Sequence, residues 1–375
     1  MIDVALRMLV HDRARFVITL AGVAFAVLLV VVQVGLFRGL LANATVTIEH
    51  ADADLWVTSK NTPNIDLPHY FSETSVMRVR SIPSVARADN LLVAFIGMQL
   101  PTGAEETLIV YGVTNPSQWR LPWAFTEGTT DRIQHGRGMF LDDSATRRFG
   151  SFAVGDRREL FGQRLDIVGR TTGGLSFTTM PLAFVSFDVA QSLEPNLYGG
   201  RTAYILVKLQ PGADASAAAA EIRHRLPYND VHTRDAWAAR TRDYWVSSTG
   251  LGMNMGLTVF LGILVGVTVV AQTLYAATLE HVREFGTMKA MGASNAHIFG
   301  LIAMQAGTSG VLGYFLAWPA IYAVRLGARQ LALDIALTAP SAVIVFIGAV
   351  TLCLVASLVT FRKIVSIDPA LVFRT

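Results

Sequence analysis

Four long apolar blocks constrain this chain more than any other feature of its sequence. Each block is free of Asp, Glu, Lys and Arg and reaches the roughly 20 residues that a helix needs to cross a bilayer. Only 16% of the 375 residues are charged, against about 25% in soluble globular proteins. We therefore expect a membrane protein. The predicted transmembrane helices are residues 16–37, 250–278, 298–324 and 337–361.

The first block has an alternative interpretation as a signal peptide. The tripeptide Ala42-Asn43-Ala44 resembles a cleavage site. The apolar run before it is, however, longer than the roughly 7–15 residues of a signal-peptide core. A retained anchor helix is the prediction.

Basic residues beside the apolar blocks predict the orientation. Eight Arg and Lys residues flank the blocks in residues 1–15, 279–297 and 362–375, against only Arg325 and Arg329 in the short loop on the other side, and such residues favour the cytoplasmic side. Both termini and the connector 279–297 are therefore predicted to be cytoplasmic, in a multi-pass protein of the cell (inner) membrane. Residues 38–245 become a large extracytoplasmic (periplasmic) domain, and 325–336 a short outer loop.

The predicted fold class is four transmembrane α-helices with a large mixed α/β extracytoplasmic domain inserted between helices 1 and 2. Runs rich in Val, Ile and Leu and bounded by Pro or Gly predict strands in this domain. The polar segment 61–72 is expected to be a loop. The predicted strands and helix are residues 91–100, 107–113, a hairpin over 158–169 that turns at Phe161-Gly162, 203–209, and a helix over 213–226.

The domain shows no catalytic constellation and no metal-ligand spacing. His224 and His232 are close in sequence, but Pro227 separates them, so no metal site is predicted. Asp142-Asp143 precedes Ser144 and a helical stretch, which indicates helix capping rather than a catalytic pair of carboxylates. The domain is interpreted as a binding or docking module.

Four tryptophans of the domain admit two interpretations. They are candidates for the lining of a hydrophobic groove. The favoured interpretation makes Trp119, Trp123 and Trp237 packing residues and places Trp245 at the membrane interface.

The sequence also argues against several functional classes. Transporters coupled to protons or ions usually keep ionisable residues within their helices, and the four predicted helices have none. The chain has no Gly-Lys pair and therefore no P-loop. The net charge of +3 comes from small basic clusters, so no nucleic-acid partner is predicted. The single cysteine, Cys353, excludes an intrachain disulfide.

Two pairs of glycines in the second apolar block have four-residue spacing. They are Gly252 with Gly256 and Gly262 with Gly266. Such pairs let helix backbones approach closely and predict a helix interface. The alternative is that glycine is simply frequent in membrane helices.

The connector between the second and third blocks carries the most informative motif. Charged Glu280, Arg283 and Glu284 alternate with apolar residues at helical spacing, which predicts a short amphipathic helix at the cytoplasmic surface. Gly292 fits a helix C-terminus and Ser294 the N-cap of the third transmembrane helix. A nucleophile elbow at 292–296 is rejected because it needs a preceding strand. A plain connector and a docking helix for a cytoplasmic partner both remain open.

The connector resembles that of ABC transporter permeases of the MacB/FtsX-like class, most closely the DevC-type branch. His281 stands where the broader family often has arginine. The tail 362–373 and the segments 154–156 and 167–169 are similar to further pieces of the family. The matching connector positions are Glu280, Arg283, Glu284, Phe285, Gly286, Lys289, Ala290, Gly292 and Ala293.

The resemblance implies a non-enzymatic permease subunit of an exporter. A separate ABC ATPase would bind ATP and Mg and drive motion of the extracytoplasmic domain, and no cofactor would bind this chain. The implied partners are that ATPase, a second copy of the chain, membrane lipids, a periplasmic adaptor and an outer-membrane channel. The residues expected to couple to the ATPase are Glu280, Arg283, Glu284, Phe285, Gly286, Lys289, Gly292 and Ser294.

Other functions stay open. One is an FtsX-like mechanotransmitter that activates a cell-wall hydrolase, and another is a lipoprotein-releasing permease. A membrane-anchored receptor or sensor is more remote, because the short tails offer no signalling domain. An extracytoplasmic enzyme ranks last.

Overall fold

The computed structural model describes residues 13–100, 102–134, 136–280, 287–288, 291–330 and 335–365. The chain divides into two compact units. One comprises Leu40–Gly252, and the other comprises Met1–Gly39 with Met253–Thr375. The predicted fold class is confirmed: four long apolar helices accompany a mixed α/β domain that lies between the first of them and the rest.

Four long helices and eight short ones lie within the described residues. They are α1 (Arg13–His50), α2 (Ser75–Arg80), α3 (Pro116–Trp119), α4 (Asp131–Gln134), α5 (Thr146–Phe149), α6 (Phe187–Leu193), α7 (Pro195–Tyr198), α8 (Ala215–Arg225), α9 (Arg234–Asp243), α10 (Leu251–Glu280), α11 (Asn295–Gln330) and α12 (Ala339–Val365).

The strands all belong to the unit Leu40–Gly252. They are β1 (Leu55–Ser59), β2 (Phe71–Ser72), β3 (Val85–Gln99), β4 (Glu105–Val113), β5 (Phe125–Glu127), β6 (Gly138–Asp142), β7 (Arg157–Leu160), β8 (Gln163–Thr171), β9 (Leu182–Ser186), β10 (Arg201–Thr202), β11 (Tyr204–Leu209) and β12 (Asn229–Thr233).

Six strands of this unit close into a ring. The pairing runs β3–β4–β9–β6–β8–β7 and returns to β3, with β4–β9 and β6–β8 parallel and the other pairs antiparallel. A closed ring has no free edge within it. One apolar cluster, which includes Leu92, Val110 and Ile167, fills one face of these strands.

The remaining strands extend the sheet from β3 in the order β12–β1–β11–β3. Helices α2 and α8 cover one face of this extension, where Val79 and Ile222 pack with Ile205. On the other face, the fully buried Trp237 of α9 packs in a cluster with Trp56 and Tyr204.

The predicted strands and helix of the domain are found. Strand β3 starts six residues before the predicted strand, because polar Arg87 and Asp89 pair with β11 in its first half. The predicted hairpin is β7–β8, and its turn has Phe161 at φ 45° and Gly162 at φ 77°. The segment 61–72 is a loop up to the two residues of β2, which pair with β10.

The other unit contains most of each of the four long apolar helices. Among the described residues, four segments are long and apolar enough to cross a membrane: Phe16–His50, Leu251–Thr273, Asn295–Arg329 and Ala339–Leu358. Valines of α1 (Val23, Val27) pack in one cluster with Val270, Tyr314 and Cys353 of the other three helices. Helix α1 continues to His50, beyond the predicted transmembrane limit at residue 37. A helix end does not mark the membrane surface, so the predicted transmembrane and domain limits stay predictions.

Candidate coupling segment and outer-domain junction

The connector after α10 is only partly within the described residues. Glu280 is the last residue of α10. Five other positions predicted to couple to an ATPase lie outside the described residues. These are Arg283, Glu284, Phe285, Gly286 and Lys289.

The end of the connector has the predicted helix C-terminus at Gly292, followed by the predicted N-cap at Ser294. Gly292 has φ 99°, and the backbone N–H of Ala293 donates to the Met288 carbonyl at 2.9 Å. This left-handed glycine with a long backward hydrogen bond is typical of a helix C-terminus. Ser294 Oγ then accepts the His297 N–H at 3.2 Å, so the predicted N-cap of α11 is confirmed.

An apolar contact of Met288 packs this end of the connector against α11. Met288 packs against Ile298, Leu301 and Ile302 of α11, together with Phe361 of α12. Met288 therefore joins this end of the connector to the first turns of α11.

The four predicted interface glycines differ in their surroundings. A Cβ on Gly266 would lie 2.7 Å from the Ala26 Cβ of α1, and one on Gly262 would lie 3.5 Å from Leu29. A Cβ on Gly256 would meet open space. Gly252 is approached by Val246, from its own chain segment just before α10.

Two further glycines make close contacts that the four-residue spacing did not reveal. Gly313 of α11 faces Val23 of α1, where an added Cβ would lie 2.6 Å from the valine, and Gly22 of α1 faces Val269 of α10. Neither was part of a predicted pair. A single glycine in an apolar helix carries no signal of what it faces.

Several polar side chains of the long helices have hydrogen-bond partners within or between those helices. The hydroxyls of Thr258, Thr268 and Thr308 donate to backbone carbonyls four residues earlier, at 2.8–3.0 Å. Gln33 Nε2 donates to Met255 Sδ at 2.7 Å. Hydroxyls bonded within their own helix are compatible with a lipid environment.

The Asp142 carboxylate has a structural environment in the outer domain. It accepts the N–H groups of Ser144 (3.0 Å) and Gly174 (2.7 Å) and the Thr171 hydroxyl (3.2 Å). Burial raises the pKa of Asp142, and these hydrogen bonds oppose that shift. The predicted capping role of Asp142 is confirmed, and the carboxylate also holds the start of the loop at Gly174.

His232 and three of the four tryptophans act in packing. His232 stacks on Trp237 with the two ring centroids 5.2 Å apart, and burial lowers the pKa of His232. Trp119 is buried and its Nε1 donates to Asp89 at 2.9 Å. Trp123 stacks on His50 at 5.0 Å. The predicted packing role of Trp119, Trp123 and Trp237 is confirmed.

The ends of α1 and α9 are joined by polar and aromatic contacts. Arg242 Nη1 donates to Glu49 Oε1 at 2.7 Å. Trp245, in the π-helical turn Tyr244–Ser248 after α9, stacks flat on Phe177. Glu49 and Arg242 are 193 positions apart, and no local sequence pattern connects them.

Comparison with known proteins identifies the family. Residues 16–225 match the MacB-like periplasmic core domain. Residues 256–369 match the FtsX-like permease C-terminal domain. The chain belongs to the MacB/FtsX-like family of ABC transporter permeases. It is thus a membrane protein with a periplasmic domain, and such a permease works with an ATPase that is not part of this chain.

Relatives of this permease span its whole length. An uncharacterized ABC transporter permease of Mycobacterium tuberculosis is 25% identical over 388 residues, covering 100% of this chain and 99% of the relative. Another, of Mycobacterium bovis, is 24% identical over 386 residues with the same coverage, 100% and 99%.

Solved structures similar to the permease cover about half of its chain. The periplasmic region of MacB from Actinobacillus actinomycetemcomitans has a TM-score of 0.40 at 11% identity and covers 49% of this chain and 90% of that one. The extracellular domain of the noncanonic ABC-type transporter YknZ from Gram-positive bacteria has a TM-score of 0.37 at 13% identity and covers 48% and 99%.

Proposed function

We propose that this permease is the transmembrane subunit of an exporter in which a separate ATPase drives motion of the periplasmic domain. The observation that supports this most is the order of the two family matches along one chain, with the periplasmic core domain first and the permease domain second. The chain itself has no P-loop, so the energy has to come from a partner.

The connector is the proposed docking point for that partner. Its charged residues Glu280, Arg283, Glu284 and Lys289 offer ion pairs to a cytoplasmic surface. Its far end is fixed by the Gly292 turn, the Ser294 cap and the Met288 packing. A docked ATPase would therefore push on a segment that is firmly joined to α11.

The apolar helices support mechanical transmission rather than ion coupling. The predicted transmembrane segments contain no Asp, Glu, Lys or Arg, whereas ion-coupled transport usually needs such groups. Close backbone approach at Gly266 and Gly313 favours helices that move as one body. We infer that cytoplasmic motion is passed to the outer domain.

The wider assembly follows from the same proposal. Two copies of the permease would pair, with both termini in the cytoplasm and ATP and Mg held by the ATPase. Gly256 faces open space within one copy, which leaves it free for a second copy. The cargo would be taken from the periplasm or outer leaflet and handed to a periplasmic adaptor and an outer-membrane channel.

Purification of the permease from its native membrane tests the proposal. We expect a P-loop ATPase in stoichiometric amounts, and its loss in the variant Glu284→Lys. The matched control is Asp235→Lys, a charge reversal at a side chain that is 93% exposed in the outer domain. Co-purification of a cell-wall hydrolase would favour the mechanotransmitter instead, and absence of any ATPase after mild crosslinking would overturn the proposal.

A further inference from the structure

Asp66 is a buried carboxyl group with an unfilled hydrogen-bonding position. It lies in the loop after β1 and is 6% exposed. The loop is fixed there, because Asn64 Oδ1 accepts the N–H groups of Asp66 at 2.8 Å and Leu67 at 2.9 Å. Among the described residues, Asp66 Oδ2 has no hydrogen-bond partner. Burial raises the pKa of Asp66 to about 7, and a hydrogen bond from the Phe177 backbone N–H opposes that shift.

The groups that face Asp66 provide no positive charge. They are the phenols of Tyr111 on β4 and Tyr204 on β11. Burial raises the pKa of both phenols above its usual range, so both are neutral. The Tyr204 hydroxyl donates to the backbone carbonyls of Asn64 and Ile65, at 3.1 and 2.9 Å. Arg240 donates to the Thr62 carbonyl at 3.2 Å, and no ion pair joins a described cation to Asp66. An ionised Asp66 therefore has no positive charge beside it among the described residues and only the Phe177 N–H to stabilise it.

Phe177 stands at the tip of a tightly braced loop between β8 and β9. The Ser176 N–H donates to the Met180 carbonyl and the Thr179 N–H to the Ser176 carbonyl, both at 3.0 Å. Thr179 takes φ 60°, which is rare for a β-branched residue. These hydrogen bonds fix the backbone on both sides of Phe177. The Phe177 side chain is buried, at 6% exposure.

The Phe177 ring stacks on Trp245 with its centroid 4.0 Å away and the two planes inclined by 10°. Trp245 belongs to the π-helical turn Tyr244–Ser248, which leads towards α10. π-helical turns are rare and frequently occur at functional sites. The same loop thus contacts Asp66 through its backbone and the turn through its ring.

We propose that Asp66, Phe177 and Trp245 form a proton-controlled latch in the outer domain. With Asp66 protonated, Phe177 stays inserted and holds the π-helical turn on the domain. When the carboxyl proton leaves to water, the buried charge favours an open state in which Asp66 is hydrated and Phe177 leaves Trp245. The latch is a property of this domain and needs no ATPase.

The direction of the pH effect follows from the two protonation equilibria. The closed domain binds the Asp66 proton with a pKa of about 7, and a hydrated carboxyl does so near 3.8. Between these values the closed state holds more protons than the open state, so closure weakens as pH rises. The opening equilibrium should rise about tenfold per pH unit up to pH 7 and level off above it.

Hydrogen–deuterium exchange of the full chain in lipid nanodiscs tests the latch. Peptides covering 172–181 and 244–250 are compared at pH 5.5 and 7.5, after correction for the intrinsic exchange rate. In the wild type we expect both peptides to exchange at least about tenfold faster at pH 7.5. In Asp66→Asn, which stays neutral, both should remain protected at both pH values. In Phe177→Ala both should exchange rapidly at both.

The control Asp214→Asn removes an exposed carboxylate that caps α8 and should follow the wild type. The comparison of wild-type exchange at pH 5.5 and 7.5 needs no variant, so the test does not depend on whether a variant folds. Equal protection of the wild type at both pH values, or a pH response that survives in Asp66→Asn, would overturn the proposal. Because exchange is read without ATPase or cargo, this result is independent of whether the permease exports.

Discussion

An ion pair between Arg242 and Glu49 joins α9 to the end of α1. Arg242 Nη1 lies 2.7 Å from Glu49 Oε1 and 3.3 Å from Thr45 Oγ1, and the Thr45 hydroxyl donates to the same Glu49 oxygen at 2.8 Å. The three groups form a small network on the unit Leu40–Gly252. It ties α1 to α9 by side chains alone.

We expect this network to couple Glu49 and Arg242 energetically. Both side chains are partly exposed, at 49% and 42%, so solvent screening limits the coupling to about 0.5–1 kcal/mol. A double-mutant cycle of Glu49→Gln and Arg242→Gln, read from thermal unfolding of the full chain in detergent, measures it. The value should shrink in 1 M salt. Strictly additive single effects would show that the pair is only a surface contact.

Gly266→Leu should destabilise the packing of α10 against α1. A Cβ at this position would lie 2.7 Å from the Ala26 Cβ, so the helices have to separate, at a cost of about 1–3 kcal/mol. Thermal unfolding of the full chain in detergent reports the change. The matched variant Gly327→Leu adds the same side chain to α11 where a Cβ meets open space, and the stability should change little. Equal effects of the two variants would contradict the packing described for Gly266.

Ser294→Ala should loosen the first turn of α11. The His297 N–H loses its side-chain acceptor, and removal of an N-cap costs about 1 kcal/mol. Hydrogen exchange of the first amides of α11 should become roughly fivefold faster. Ser294→Asp keeps an acceptor and should restore protection, whereas a failure of Asp to rescue would exclude capping as the cause.

Asp142→Ala should destabilise the outer domain by at least about 2 kcal/mol, because it leaves the Ser144 and Gly174 N–H groups without their acceptor. The neighbouring Asp143→Ala removes an ion pair with Arg170 and should cost less than about 1 kcal/mol. Denaturant unfolding of the full chain, followed by domain fluorescence, compares them. The reverse ranking would contradict the assignment of Asp142 as the structural carboxylate.

The long apolar helices and several domain elements could be predicted because their signals are local. The hairpin β7–β8 combines short strands with a Phe161-Gly162 turn, and helix α8 lies between Pro211 and Pro227. Strands β6 and β12 were not predicted. The first, GMFLD, is five residues long and wholly buried, and the second, NDVHT, is mostly polar. Their assignment depends on pairing with distant strands.

The contacts of the candidate sites likewise divide into local ones, which could be predicted, and long-range ones, which could not. The helix C-terminus at Gly292 and the N-cap at Ser294 were predicted because such signals depend on residues that are neighbours in sequence. The latch was not, because Asp66 belongs to a segment that read as a polar loop and Phe177 is 111 positions away. Only the folded domain brings Asp66 to the Phe177 loop and that loop to Trp245.

The distance between the outer domains of two permease copies tests the central claim most directly. A spin label at Tyr228→Cys, a side chain 83% exposed, would be introduced in a Cys353→Ala background that removes the single native cysteine. Pulsed electron paramagnetic resonance then compares the complex with its ATPase before and after ATP is added. We predict that the label-to-label distance distribution shifts with ATP and that Glu284→Lys abolishes the shift. An unchanged distribution while the bound ATPase hydrolyses ATP would contradict the coupling of ATP hydrolysis to motion of the outer domain.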